Sequence, residues 1–131
     1  MHNLITIRSN FTIMKYQRKI SQDLECGITV AMRVFCNKWK PCIIDAIYKG
    51  FRRPSEIHRF IPEAKPRVLD IQLSELLKLG VLTRESGSGF PLYTIYTLTE
   101  LGKSIVPIVT QLDEWGNSHK HKLKDVLTEA V

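Results

Sequence analysis

The spacing of apolar residues changes abruptly near residue 80. Before it, Leu69, Leu73, Leu76 and Leu77 recur at i, i+4, i+7 and i+8, one face of a helix. Gly80 ends that helix, because glycine tolerates the left-handed backbone that a C-terminal cap often needs. After it, Val81-Leu82-Thr83 favours a strand. Ser86-Gly87-Ser88-Gly89 turns the chain, and Leu92-Tyr93-Thr94-Ile95-Tyr96 returns as the partner strand. Shorter helices are predicted upstream. Residues 12–24 place Ile13, Tyr16, Ile20 and Leu24 near one face. Residues 28–35 form an apolar helix that Asn37 ends in a left-handed cap. Residues 39–48 turn Ile43, Ile44 and Ile47 inward and stop at Gly50. Pro54 and Pro66 suit the first turns of two further helices, where a missing N–H costs nothing, and Pro62 closes the first of them near Ile61.

The segment Thr97-Leu98-Thr99-Glu100 offers two N-caps for a last helix. Thr97 with Glu100 matches a capping box, and Thr99 competes with it. On this helix Leu101, Ile105, Ile108, Leu112 and Trp115 repeat at 4-3-4-3, a heptad seam suited to a dimer interface. Val106 and Val109 lie off the seam, and Pro107 is placed to kink the helix. The chain then divides into an N-terminal arm or helix (1–25), a main domain (26–116) and a polar tail or helix extension (117–131). Short helices, then a helix running into a hairpin, is the layout of an α+β winged helix-turn-helix with a two-stranded wing and a long C-terminal dimerisation helix. In that layout one helix enters a DNA major groove and the hairpin lies beside it.

Charge sharpens this expectation. The 131 residues suffice for one domain with a modest core, and the net charge is +6. Between residues 49 and 67 stand six Lys/Arg against Glu56 and Glu63, so the excess concentrates on the helix-turn-helix. No run approaches the roughly 18 apolar residues of a membrane span. The first residues lack the apolar core of a secretory signal. Cys26, Cys36 and Cys42 have no C-x-x-C spacing, which argues against a disulfide framework or a zinc site and for a reducing cytoplasm. His119 and His121 sit at i, i+2 in a polar segment and read as solvated rather than as metal ligands. No paired-carboxylate, Ser/His/Asp or Gly-rich phosphate pattern points to an enzyme or to a cofactor.

The helix beginning at Pro66 presents Arg67, Ile71, Ser74, Glu75 and Lys78 opposite the leucine stripe, flanked by Val68, Asp70 and Gln72. Arg67 suits guanine or a phosphate, Gln72 adenine, and Ile71 a thymine methyl. Asp70 repels phosphates, so it accepts from cytosine, pairs with Arg67 or serves the local backbone. Glu75 and Lys78 read as solvated. Arg52 and Arg53, in the turn before the third helix, suit phosphate neutralisation. Lys65 stands where helix N–H groups also favour a phosphate. Arg84 and Tyr93 are the wing's contributions, Ser88 a lesser one. Trp39 reads as core and His58 as surface.

Taken in order, the pieces CGITVAMRVFCNKW, YKGFRRPSEI, PRVLDIQLSELLKLGVLTRE, FPLYTIYTLTELGKSI and LDEWG resemble the HxlR family of bacterial winged-helix transcription regulators, relatives of the MarR group. The corresponding family patterns are C-P-x(n)-G-G-K-W, x-G-x-x-R-F-x-E-L, P-K-x-L-T-x-x-L-x-x-L-x-x-x-G-L-V-x-R, P-P-x-V-x-Y-x-L-T-E-L-G and L-x-x-W-G. The resemblance runs over residues 26–116. The family's Gly-Gly is Cys36-Asn37 here, its recognition-helix threonine is Asp70, and its basic wing residue is Tyr93. DNA sequence preference therefore does not carry over. The resemblance implies a homodimer in which both chain ends cooperate. It also implies a thiol at Cys26, which some members of the family use for redox or electrophile sensing. A helix N-terminus there favours the thiolate, Asp23 and Glu25 oppose it, and Cys36 and Cys42 read as buried and inert.

The expectation is a homodimeric regulator on double-stranded DNA, reading a palindromic operator. The rival is a winged-helix module for protein–protein contact alone, which the basic cluster disfavours.

Overall fold

The computed structural model describes residues 24–87, 89 and 92–129. The chain divides into two compact units, Met1–Cys36 and Asn37–Val131. In the first, α1 spans Gly27–Phe35. The expected helix over 12–24 lies essentially outside the described residues.

In the second unit, α2 (Trp39–Tyr48), α3 (Pro54–Phe60) and α4 (Pro66–Lys78) precede an antiparallel hairpin, β1 (Leu82–Gly87) and β2 (Tyr93–Leu98), and a 30-residue α5 (Glu100–Glu129). Helix α2 is central and packs on α4, α5 and β2. Its Ile43, Ile44, Ala46 and Ile47 are buried, and they meet a core that includes Leu69, Leu73, Leu76, Val81 and Leu98. Gly50 and Gly80 end α2 and α4 at φ +103° and +80°, the left-handed region the sequence pattern asks of them. Asn37 behaves differently from expectation. Among the described residues no non-glycine has positive φ, and α1 ends at a right-handed Cys36. The Asn37 Oδ1 instead accepts the Trp39 N–H at 2.8 Å, serving the start of α2 rather than the end of α1.

The hairpin pairs Leu82 with Leu98 through to Gly87 with Tyr93. Ser86 and Gly87 are therefore ladder residues, and the reversal falls after them. The Tyr93 ring occupies the space a Cβ on Gly87 would fill, so the glycine admits the cross-strand aromatic. The Tyr96 N–H also donates to the Arg52 carbonyl at 2.9 Å, fastening the α2–α3 connection to the free edge of β2.

The two N-caps resolve in favour of Thr99. Its hydroxyl accepts the Gly102 N–H at 3.0 Å and donates to the Gly80 carbonyl at 2.7 Å, while Thr97 belongs to β2. Gly102 lies so close to the Val81 carbonyl that a side chain would collide with it. Pro107 sits inside an unbroken helical span, and the polar segment beyond Gly116 continues as helix. Along α5 the heptad seam splits. Ile105 is buried against its own domain with Val109, whereas Leu101, Ile108, Leu112 and Trp115 are exposed. Ile105 is thus corrected from interface to core, because the winged domain takes the face that carries Gly102, Ile105 and Val109.

Candidate nucleic-acid interface

Helix α4 begins at an extended Lys65 with Pro66 in its first turn, and no side chain caps it. Pro66 has no N–H, and the Val68 and Leu69 N–H groups donate to the Lys65 carbonyl at 3.0 and 3.1 Å, so attraction for an anion here rests on the Lys65 and Arg67 side chains. Lys65, Arg67, Asp70, Ile71, Ser74 and Lys78 are exposed, and Val68 is half-buried. Ile71 shows 49% of its surface, a large apolar side chain standing among charges.

Gln72 is not on that face. It is 7% exposed and shares the buried side of α4 with Leu69, Leu73 and Leu76, the i, i+3, i+4, i+7 stripe. Its Oε1 is buried without a hydrogen-bond partner. The expected adenine contact is withdrawn for this residue. The Asp70 Oδ1 lies 3.2 Å from the His58 Nε2, a contact between α3 and α4. His58, expected at the surface, is partly buried beside Asp70.

Glu75 is exposed as expected, and its Oε1 also holds the Lys40 Nζ at 2.5 Å. Lys40 is 2% exposed, a lysine enclosed in the core beneath the exposed helix. Sequence reasoning missed it, although residues 40, 43, 44 and 47 stand at the spacing of one inward face. Trp39, read as core, is only partly buried, with the Lys38 ammonium 4.5 Å from its ring centroid.

The α2–α3 connection is held from its backbone. Glu56 accepts the N–H groups of Arg52 and Arg53 at 3.1 and 3.0 Å. These bonds, led by that from Arg53, hold the Glu56 carboxyl below its usual range, against a smaller opposing effect of burial. Both arginines are exposed. In the wing, Arg84 and Tyr93 are exposed, and the segment between the strands lies partly outside the described residues.

The cysteines separate by environment. Cys26 is the N-terminal boundary of α1 and partly exposed. Cys36 is exposed, contrary to the expectation of burial, because α1 buries none of its residues. Cys42 is partly buried, and burial pushes its thiol pKa up, with Asp45, Glu63 and Asp113 adding to the shift and Lys38 opposing it. Among the described residues no His/Cys/Asp/Glu group could hold a metal ion, and no helix is long and apolar enough to cross a membrane.

A helix with a basic start, exposed beside a hairpin wing and braced from below by α2 and α3, defines a winged helix-turn-helix regulator. The chain belongs to the HxlR-like helix-turn-helix family, whose profile matches residues 34–124. It is 38% identical over 94 residues to an HTH-type transcriptional regulator of Methanothermobacter thermautotrophicus, covering 72% of each chain. Among solved structures it is similar to the redox regulator HypR in its reduced form, with a TM-score of 0.70 and 33% identity over 76% of this chain and 99% of that one. It is also similar to the diamide-treated YodB of Bacillus subtilis, with a TM-score of 0.60 and 26% identity over 73% and 96%. The protein is accordingly a transcription regulator of the helix-turn-helix type, and not an enzyme.

Proposed function

We propose that the protein acts as a cytoplasmic homodimer on a palindromic operator, with one α4 from each subunit in successive major grooves. The observation that carries this is the outer face of α4, where Lys65, Arg67, Val68, Asp70 and Ile71 are presented together while the leucine face is buried. Arg67 and Ile71 read base edges, Lys65, Arg52 and Arg53 neutralise phosphates, and Arg84 and Tyr93 follow the backbone from the wing. Asp70, drawn toward His58, accepts from a base only when that contact opens. The test is duplex selection from a random pool, followed by titration against salt. Arg67→Ala should cost about 1–3 kcal/mol on the selected site. Arg53→Ala should weaken all sequences and lower the salt slope by roughly one. Absence of any duplex bound above the non-specific level overturns the reading and favours a protein–protein module.

The exposed Leu101, Ile108, Leu112 and Trp115 of α5 support self-association through that helix. Leu112→Asp would place a charge in a dry contact and shift the protein to monomer in sedimentation at micromolar concentration. A folded variant that stays dimeric removes α5 from the interface.

Thiol sensing at Cys26 is a second part of the proposal. It is supported by the thiol's partial exposure at a helix N-terminus and by the likeness to HypR and YodB. Diamide should change operator affinity in the wild type and leave Cys26→Ser unaffected. Equal responses assign Cys26 to structure alone.

A further inference from the structure

The two adjacent arginines of the α2–α3 connection have different surroundings. Arg52, but not Arg53, lines a cleft of about 240 Å³ formed with Ile47, Tyr48, Thr97, Leu98 and Lys103. The cleft brings two cations to one opening, from an interhelical turn and from the second turn of α5. Its other walls are the apolar Ile47 and Leu98, the ring of Tyr48, which is 60% exposed, and the Thr97 hydroxyl. Among the described residues no carboxylate pairs with the Arg52 guanidinium. Lys103 is held only by a solvent-exposed Glu100 at 3.3 Å, a contact weak enough to exchange for a better one. The backbone of Arg52 is tied at both ends, its N–H to Glu56 and its carbonyl to the Tyr96 N–H. The root of the guanidinium is therefore already positioned, which lowers the ordering cost of binding.

We propose that this cleft is an effector site for a small organic anion, a carboxylate on a compact apolar body, and that its occupancy withdraws Arg52 from DNA. A guanidinium donates to a carboxylate in a two-point contact, Lys103 adds a point charge, and Ile47, Leu98 and the Tyr48 ring enclose the apolar part. The volume sets the size. It falls below the roughly 300–1,000 Å³ of sites for drug-sized ligands, so the body is about one ring. Regulation follows because an effector carboxylate in the cleft neutralises the Arg52 charge and turns its guanidinium away from a DNA phosphate. That consequence rests on the DNA reading proposed above; the anion site itself does not.

The test uses the full-length protein and benzoate as probe, at ionic strength held constant with chloride. Calorimetry without DNA reads the site alone. Benzoate should bind the wild type; Lys103→Met should weaken it by roughly tenfold, the loss of one charge-assisted hydrogen bond, and Arg52→Met by more, since it removes the two-point contact. Amide spectra should shift at Tyr48 and Thr97. Equal binding of neutral benzyl alcohol, equal binding of inorganic phosphate, or unchanged affinity in Lys103→Met overturns the site. Operator titration then reads the coupling. Benzoate should weaken wild-type DNA affinity, and in Lys103→Met the same weakening should need roughly tenfold more benzoate. Benzoate that binds without changing DNA affinity overturns the coupling. A lowered salt slope in Lys103→Met without benzoate makes the cleft part of the DNA contact, and the effector proposal fails. A protein that binds no duplex leaves the calorimetric result standing and sinks only the DNA reading.

Discussion

Breaking the Lys40–Glu75 pair from either side should have unequal consequences. The ammonium is 2% exposed and the carboxylate side chain 49%, with 2.5 Å between the Nζ and Oε1. Removing one partner of a fully buried pair costs about 3–5 kcal/mol, because a buried charge is left behind. Water reaches the Glu75 end here, and Lys40 retains further contact, so Glu75→Ala should cost about 1–2 kcal/mol. Lys40→Met removes the buried charge itself and keeps most of the volume, leaving Glu75 free to hydrate; its cost should stay under about 1 kcal/mol. The double variant should match Lys40→Met, since the penalty in Glu75→Ala belongs to the lysine. The assay is urea unfolding near neutral pH at one fixed protomer concentration, because self-association would otherwise shift the midpoint. A Lys40→Met protein less stable than Glu75→Ala would refute the argument and make the pair a net stabiliser of the α2–α4 contact. A double variant no more stable than Glu75→Ala would show that the loss comes from Glu75's own packing.

Gln72→Leu removes the buried unpartnered Oε1 and should be neutral or stabilise by about 1 kcal/mol in thermal unfolding, with operator preference unchanged; altered preference would return Gln72 to the DNA face. Thr99→Ala should cost about 1 kcal/mol in denaturant melts through loss of the α5 cap, and Thr97→Ala under half as much, the reverse order reinstating the Thr97 capping box. Cys42, its pKa raised by burial and then by neighbouring carboxylates, stays protonated through neutral pH and should react with iodoacetamide more slowly than a free thiol, the rate rising only as pH passes the ordinary thiol pKa; fast labelling at pH 7 would contradict that environment.

The elements that are local in sequence were legible from it. Gly50 and Gly80 announce the ends of α2 and α4, Pro54 and Pro66 the first turns of α3 and α4, and the change from helical to strand spacing after residue 80 announces the wing. These features depend on backbone torsions and on periodicities within a few residues, which the side chains themselves dictate. The outward stripe from Lys65 to Ile71 was legible for the same reason. What only the tertiary structure decided concerns partners far apart along the chain. Glu75 meets Lys40 across 35 residues, and Asp70 meets His58 across 12. Gln72, chemically suited to a base edge, is rotated into the core because Leu69, Leu73 and Leu76 set the angle of α4. Ile105 fits a dimer seam by spacing, but the approach of Gly102 to Val81 presses that face of α5 onto its own domain. Thr97 and Thr99 are equivalent as caps until the ladder claims Thr97. In each case the sequence fixes what a side chain is able to do, and packing against distant elements selects which of those options it takes.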